Sequence, residues 1–166
     1  CRAINENLAN DYSVEIFIVE MGAYVEGEIR RICDLTPPDV SIVVEIGPQH
    51  YERFGSIEHV VKAKYEIIEA LPPGGVAVFN WDNPHIRRMA ERGYPDNRIT
   101  VSKDEAASPY QDGGPRFMAT DIAETLAGLT FAVTDRKTDT SERFTAPVSG
   151  EHNVTNILLA TAVAVQ

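Results

Sequence analysis

"VSIVVEIGPQHYERFGSIEHVVKAKYEIIEALPPGGVAVF", residues 40–79, decides the fold. Its first seven residues are almost all apolar and read as a strand over 40–46. Ser56 then stands as an N-cap, and the residues after it carry the signature of an amphipathic helix. Ile57, Val60, Val61, Ile67, Ile68 and Leu71 fall at the spacing of one buried face. Glu58, Lys62, Glu66 and Glu69 lie on the opposite face, and the first three stand four apart, which allows them to pair along the surface. "PPGG" stops the helix and turns the chain into another apolar strand over 76–79.

Working outward, the same alternation continues on both sides. "VEIFIVE" (14–20) reads as a strand covered on both faces, and "EGEIRRICDL" (26–35) as a helix. "NPHIRRMAERG" (83–93) is a short helix opened by proline and closed by glycine, and "NRITVS" (97–102) a short strand. Strand, helix, strand, helix, strand predicts an α/β fold: a mostly parallel sheet flanked by helices, with right-handed crossovers. Residues 103–116 form a polar loop. Beyond it "RFMATDI", "GLTFAVTD" and "ERFTAPV" alternate apolar and polar residues, which predicts a small antiparallel sheet in the C-terminal third. "HNVTNILLATAVAVQ" (152–166) is a last helix.

The 166 residues suffice for one domain with a real core. A net charge of −10 opposes nucleic-acid binding through phosphate contacts, although nucleotides held by metal ions and backbone donors remain open to an acidic chain. Cys1 and Cys33 make neither a disulfide framework nor a metal cluster and fit a reducing compartment. No apolar run is long enough to span a membrane and there is no signal peptide, so no membrane partner and a cytoplasmic location are expected. The chain starts without methionine and stops inside a helical pattern, the expectation for a fragment, 1–166, of a longer protein.

One residue breaks the helical pattern. Lys64 lies on the apolar stripe, three after Val61 and three before Ile67. A lysine stem can snorkel there, its ammonium meeting water or an acid. Alternatively the amine is held there for chemistry, since desolvation lowers a lysine pKa and frees the amine to react. Other polar residues gather nearby on this reading, because ligands of open α/β sheets bind beyond the carboxyl ends of the strands. Glu20 ends the first strand, His50 follows the second in "IGPQH", and Asn80 and Asp82 follow the third in "NWDN". Each alone reads as a cap, a loop hydrogen-bonder or a turn; their common placement points to a crevice. "GAYVEGEI" (22–29) has the Gly-x-x-x-x-Gly spacing of a phosphate loop, but Glu28 and Ile29 stand where Lys and Ser or Thr are required, so it is not one.

Taken in order, "EMGA", "GEI", "HYERFGS", "AKYEI", "NWDN" and "GEHNVTN" resemble the central, ATP-binding domain of the Mur ligases, a P-loop-NTPase-like fold. The wording is nearest the type that adds D-alanyl-D-alanine to a UDP-muramoyl tripeptide. The resemblance covers most of the chain, and it implies an ATP-dependent amide ligase of cell-wall precursor synthesis that works through an acyl phosphate. It implies ATP and Mg2+ as cofactors, with a UDP-linked muramoyl peptide and an amino acid or dipeptide as substrates. By the same resemblance Glu20 binds the Mg2+ shared by the β- and γ-phosphates. His50 and a carbamylated Lys64 bind a second Mg2+. Asn153 and Asn156 line the adenine pocket, and Asn80 and Asp82 lie near the nucleotide. The family's P-loop lies upstream of residue 1, and its substrate and amine-binding domains are also absent, so the isolated chain is expected to be inactive. Tyr24 and Val25 replace a frequent Asn-His. A sister ligase on the same fold, such as a folylpolyglutamate synthase, is the alternative within the class. A domain that kept the fold without catalysis is the alternative outside it, and it predicts Lys64 paired with an acid.

Overall fold

The computed structural model describes residues 15–47 and 55–165. Six strands form one sheet in sequential order: β1 (Val40–Val43), β2 (Val76–Asn80), β3 (Asn97–Ser102), β4 (Phe117–Thr125), β5 (Gly128–Asp135) and β6 (Thr140–Ala146). The first four run parallel and the last three antiparallel. The α/β expectation holds, with one difference. The antiparallel strands are not a separate small sheet, because β4 pairs with β3 at Val101↔Phe117 and Ser102↔Met118 and so continues the parallel part.

The helices cover the two faces unequally. β1 and β2 are parallel, so the helix joining them, α2 (Ile57–Glu69), must run back along the sheet and begin at the carboxyl end of β1. α1 (Glu28–Leu35) precedes β1, and α3 (Pro84–Ala90) joins β2 to β3. On the face of α2 and α3, Val43, Ala77 and Phe79 pack with Val60, Tyr65, Ile68, Ile86 and Met89. Alternation along the strands sends Val78, Ile99, Val101, Phe117, Leu129 and Phe131 to the other face. There they meet Val154, Leu158, Leu159 and Ala162 of α4 (His152–Ala164). That near-continuous burial on both faces explains why 76–79 carries no polar residue.

The strand expected over 14–20 is not formed. Residues 15–23 have no regular secondary structure, residue 14 is outside the described residues, and Ile16 and Ile18 are 78% and 89% exposed. An apolar run becomes a strand only where a neighbour accepts its hydrogen bonds. β1 is the edge of the described sheet, and among the described residues nothing pairs with its outer side. The strand expected over 40–46 ends at Val43, and the next three residues are held by other means.

Candidate functional site

Three elements carry expected site residues: α2 bears Lys64, the end of β2 bears Asn80 and Asp82, and the start of α4 bears Asn153 and Asn156. α2 is the first. Ser56 caps it, its Oγ accepting the N–H of His59 at 3.4 Å. Lys64 sits between buried Val60 and Ile68, on the apolar face as expected, and is itself half-buried. Helical side chains lean toward the helix N-terminus, so the Lys64 stem runs toward the carboxyl end of β1. Among the described residues its amine has no hydrogen bond and no carboxylate partner. The simplest structural use of a lysine on an apolar stripe, an ion pair to a nearby acid, is therefore not made within the described structure.

The opposite face of α2 behaves differently from the expectation of pairing along the helix. Lys62 Nζ reaches across to Glu26 Oε2 at 2.5 Å, and His59 Nδ1 lies 2.5 Å from Glu26 Oε1. These two partners hold the Glu26 carboxyl below the usual carboxylate range. Glu66 accepts the N–H of Gly27 at 2.6 Å and of Arg30 at 3.0 Å. It thus caps α1, whose own N-cap, Gly27, offers no side chain and adopts a left-handed φ of 89°. Charges expected to pair with one another along the helix surface instead fasten residues 26–30 to α2. Glu20, six residues before Glu26, is exposed and has no hydrogen-bond or ion-pair partner among the described residues.

The second element is the end of β2. Asn80 and Asn83 are only 4% and 7% exposed, and both are fully engaged. Asn80 Nδ2 donates to the Val44 carbonyl at 3.0 Å and to Glu45 Oε2 at 3.5 Å, and its Oδ1 accepts the Asp82 N–H at 3.1 Å. Asp82 accepts the Ser102 hydroxyl and, at 3.0 Å, the Lys103 N–H. Both residues expected near the nucleotide thus tie the ends of β1, β2 and β3 together. A hollow of about 480 Å³ opens beside Asp82, between Trp81, Arg87, Glu91 and the loop of 104–113. Neither Glu20, Lys64, Asn153 nor Asn156 lines it.

The third element is the start of α4. Lys103 follows β3 and its ammonium pairs with Glu151, which brings this helix N-terminus to the same carboxyl edge. Asn153 Nδ2 donates to the Ser149 carbonyl at 2.8 Å, and Asn156 Nδ2 donates to Asn153 Oδ1 at 3.3 Å. The exposed Asn156 therefore keeps its carbonyl oxygen uncommitted among the described residues. The helices that carry Lys64 and the asparagine pair pack on opposite faces of the sheet. His50 lies outside the described residues, and among those described no three His, Cys, Asp or Glu side chains form a group able to hold a metal.

Sequence reasoning missed the supporting residues: Glu26, Glu45, Glu66, Asn83, Lys103 and Glu151. Only Asn83 left a local trace, as an asparagine before the proline that opens α3; its Oδ1 accepts the N–H groups of His85 and Ile86 at 3.0 and 3.2 Å. The others act between segments distant in sequence.

A family model described as "Mur ligase middle domain" matches residues 3–164. The UDP-N-acetylmuramoyl-tripeptide–D-alanyl-D-alanine ligase of Escherichia coli (strain K12) is 34% identical over 155 residues, 93% of this chain and 31% of that protein. The enzyme of the same name from Haemophilus influenzae is 32% identical over 147 residues, 89% of the chain and 29% of that protein. Among solved structures, MurF ligase from Thermotoga maritima in complex with ADP superposes with a TM-score of 0.74 at 25% identity, covering 93% of this chain and 34% of that one. MurF from Acinetobacter baumannii gives a TM-score of 0.74 at 26% identity, covering 89% and 30%. The chain spans about 30% of the length of the relatives it matches.

Proposed function

The chain belongs to the Mur ligase family, matching its middle domain, and on that premise we propose that it serves an ATP-dependent amide ligase of peptidoglycan precursor synthesis. The activity is that of the curated relatives' names, joining D-alanyl-D-alanine to a UDP-N-acetylmuramoyl tripeptide. A substrate carboxylate attacks the γ-phosphate of ATP and forms an acyl phosphate, releasing ADP. The amine of the second substrate adds to that carbonyl, and the tetrahedral species collapses with loss of phosphate and a proton.

One observation carries the reading: a half-buried lysine on an apolar helical stripe, without an acid to pair with among the described residues. A neutral amine adds carbon dioxide and, on losing a proton, becomes a carbamate whose single negative charge is shared by two oxygens. Such oxygens suit Mg2+, and the long stem carries them to the carboxyl edge from a fixed helix. Glu20, exposed and uncommitted, fits the same use. Glu20 would hold one Mg2+; Lys64 as its carbamate, with His50, would hold a second. Mg2+ held by these residues would supply positive charge against the phosphates. Asn153 fixes Asn156 at the start of α4, and the free amide oxygen of Asn156 offers an acceptor to the amino edge of adenine. The tie from Lys103 to Glu151 holds that helix start at the sheet edge.

The test is Lys64→Ala in the full-length enzyme, followed by phosphate release. Turnover collapses, bicarbonate does not restore it, and small carboxylic acids restore part of it by standing in for the carbamate. Turnover at the level of the unsubstituted enzyme would remove the mechanism.

A further inference from the structure

The ladder between β1 and β2 ends at Val43↔Phe79, yet the chain does not come loose there. Beyond it the carbonyls of Val44 and Ile46 point to side-chain amides where a strand would offer backbone N–H groups. Asn80 Nδ2 serves Val44 at 3.0 Å and Asn83 Nδ2 serves Ile46 at 2.7 Å. Glu45 lies between them with one carboxylate oxygen on each amide. β2 stays paired on its other side, where the Trp81 N–H donates to the Val101 carbonyl of β3 at 2.8 Å. Two buried amides therefore extend the sheet by side chain, over three residues, after its backbone has parted.

We propose that Asn80, Asn83 and Glu45 are positioning residues: they fix the direction in which the chain leaves β1 toward His50 and the helix of Lys64. The inference rests on the metal-site reading above. Neither asparagine contacts the nucleotide in this account, which differs from the role the family resemblance implied for Asn80. Asn83 has two separable jobs. Its Oδ1 caps α3, and its Nδ2 holds Glu45 and Ile46. Serine keeps the cap and loses the amide donor. Aspartate keeps the cap, loses the donor, and sets a second carboxylate against Glu45. Glu45→Gln then supplies an N–H to that carboxylate, so the pair is rebuilt with donor and acceptor exchanged.

The experiment uses the full-length enzyme with two readouts. The first is the Mg2+ concentration giving half-maximal phosphate release; the second is hydrogen exchange of the amides of residues 44–47 in metal-free protein. Asn83→Ser and Asn83→Asp raise the Mg2+ requirement about tenfold or more, the effect of losing a group that orients a metal ligand. The same amides exchange about tenfold faster as the local opening becomes easier. Adding Glu45→Gln to Asn83→Asp returns both values most of the way, which a generally damaged fold would not do. Unchanged Mg2+ requirement in Asn83→Ser, or no recovery in the double variant, overturns the proposal. If Lys64→Ala is inactive while Asn83→Ser behaves as the unsubstituted enzyme, only the positioning role fails; if Lys64→Ala is fully active, the metal-site reading itself fails.

Discussion

Lys64→Leu separates the two uses of a lysine on an apolar stripe. If the amine stabilises the fold through a contact, removing it destabilises the chain. If it is held for chemistry, a hydrocarbon in its place improves packing while activity is lost. Full burial of a leucine side chain is worth about 1.5–3 kcal/mol. The position is half-buried between Val60 and Ile68, and the lysine stem already covers part of that surface. A gain of roughly 1 kcal/mol is therefore expected. Helix propensity adds almost nothing, because leucine and lysine are close on that scale. For a chain of this size the melting temperature rises about 2–4 °C. Urea unfolding, followed by fluorescence of the one tryptophan, Trp81, measures the change. In the full-length enzyme the same substitution lowers phosphate release by at least about a hundredfold. A destabilisation of about 1 kcal/mol or more would show that the amine makes a stabilising contact, and would refute the argument from the unpaired lysine.

Glu66→Ala removes the carboxylate that caps α1 from a neighbouring helix; a loss of roughly 1–2 kcal/mol is expected from two charge-assisted hydrogen bonds at a partly exposed site, with faster hydrogen exchange at Gly27 and Arg30. Unchanged exchange there would show that α1 is held by packing alone. Asp135 is 14% exposed and accepts from Arg116 at 2.7 Å; that guanidinium holds its carboxyl below the usual carboxylate range. A depressed folded-state value means the unfolded chain binds the proton first. The stabilisation is therefore complete above the unfolded value, about 3.9, and fades as pH falls through the folded one. Asp135→Asn should lower stability at neutral pH and flatten the acid limb of a plot of stability against pH below about 4; an unaltered acid limb would assign that sensitivity to other carboxylates.

The central βαβ unit was legible because its evidence is local. Two apolar runs bracket a helix with a serine cap and a stripe at the right period, and the structure returns each of them. The run at 14–20 misled for a physical reason. Apolar composition reports a capacity to be covered, whereas strand formation needs a partner at the right distance, and residues 15–20 have none among the described residues. The charged face of α2 misled in the opposite sense. Glu58, Lys62 and Glu66 satisfy the four-residue rule for surface pairing, yet Lys62 and Glu66 find better partners in Glu26, Gly27 and Arg30. A backbone N–H at a helix start has no other acceptor, so a carboxylate gains more there than from a solvated lysine. No window of sequence contains both partners. For the candidate site, the spacing placed Lys64 on its stripe and the resemblance supplied its role. The side-chain amides that continue the sheet beyond Val43 are visible only once β1 and β2 are side by side.

The placement of these ties bears on how a metal site can be both adaptable and accurate. A carbamate forms reversibly, so its position must be set by something other than the modification. Lys64 stands on a helix capped at its start by Ser56 and fastened to residues 26–30 through His59, Lys62 and Glu66. A ligand carried on such an element arrives within a small volume whether or not the carbon dioxide is bound. Glu20 has less support: it is exposed in an irregular stretch, tied by the Cys33 thiol on Met21 Sδ at 3.8 Å and by the Tyr24 N–H on Glu28 at 2.7 Å. The two proposed metal positions should therefore differ in preorganisation. The Lys64 ligand is carried on a helix that the folded chain already fixes. The position served by Glu20 gains its order when the phosphates and their metal bind, since ordering an exposed segment draws on the binding free energy. Hydrogen exchange with and without Mg-ATP in the full-length enzyme distinguishes them. Protection over 19–23 should rise on binding far more than over Ile57–Glu69, and equal protection of the two segments would mean that the Glu20 stretch is already held.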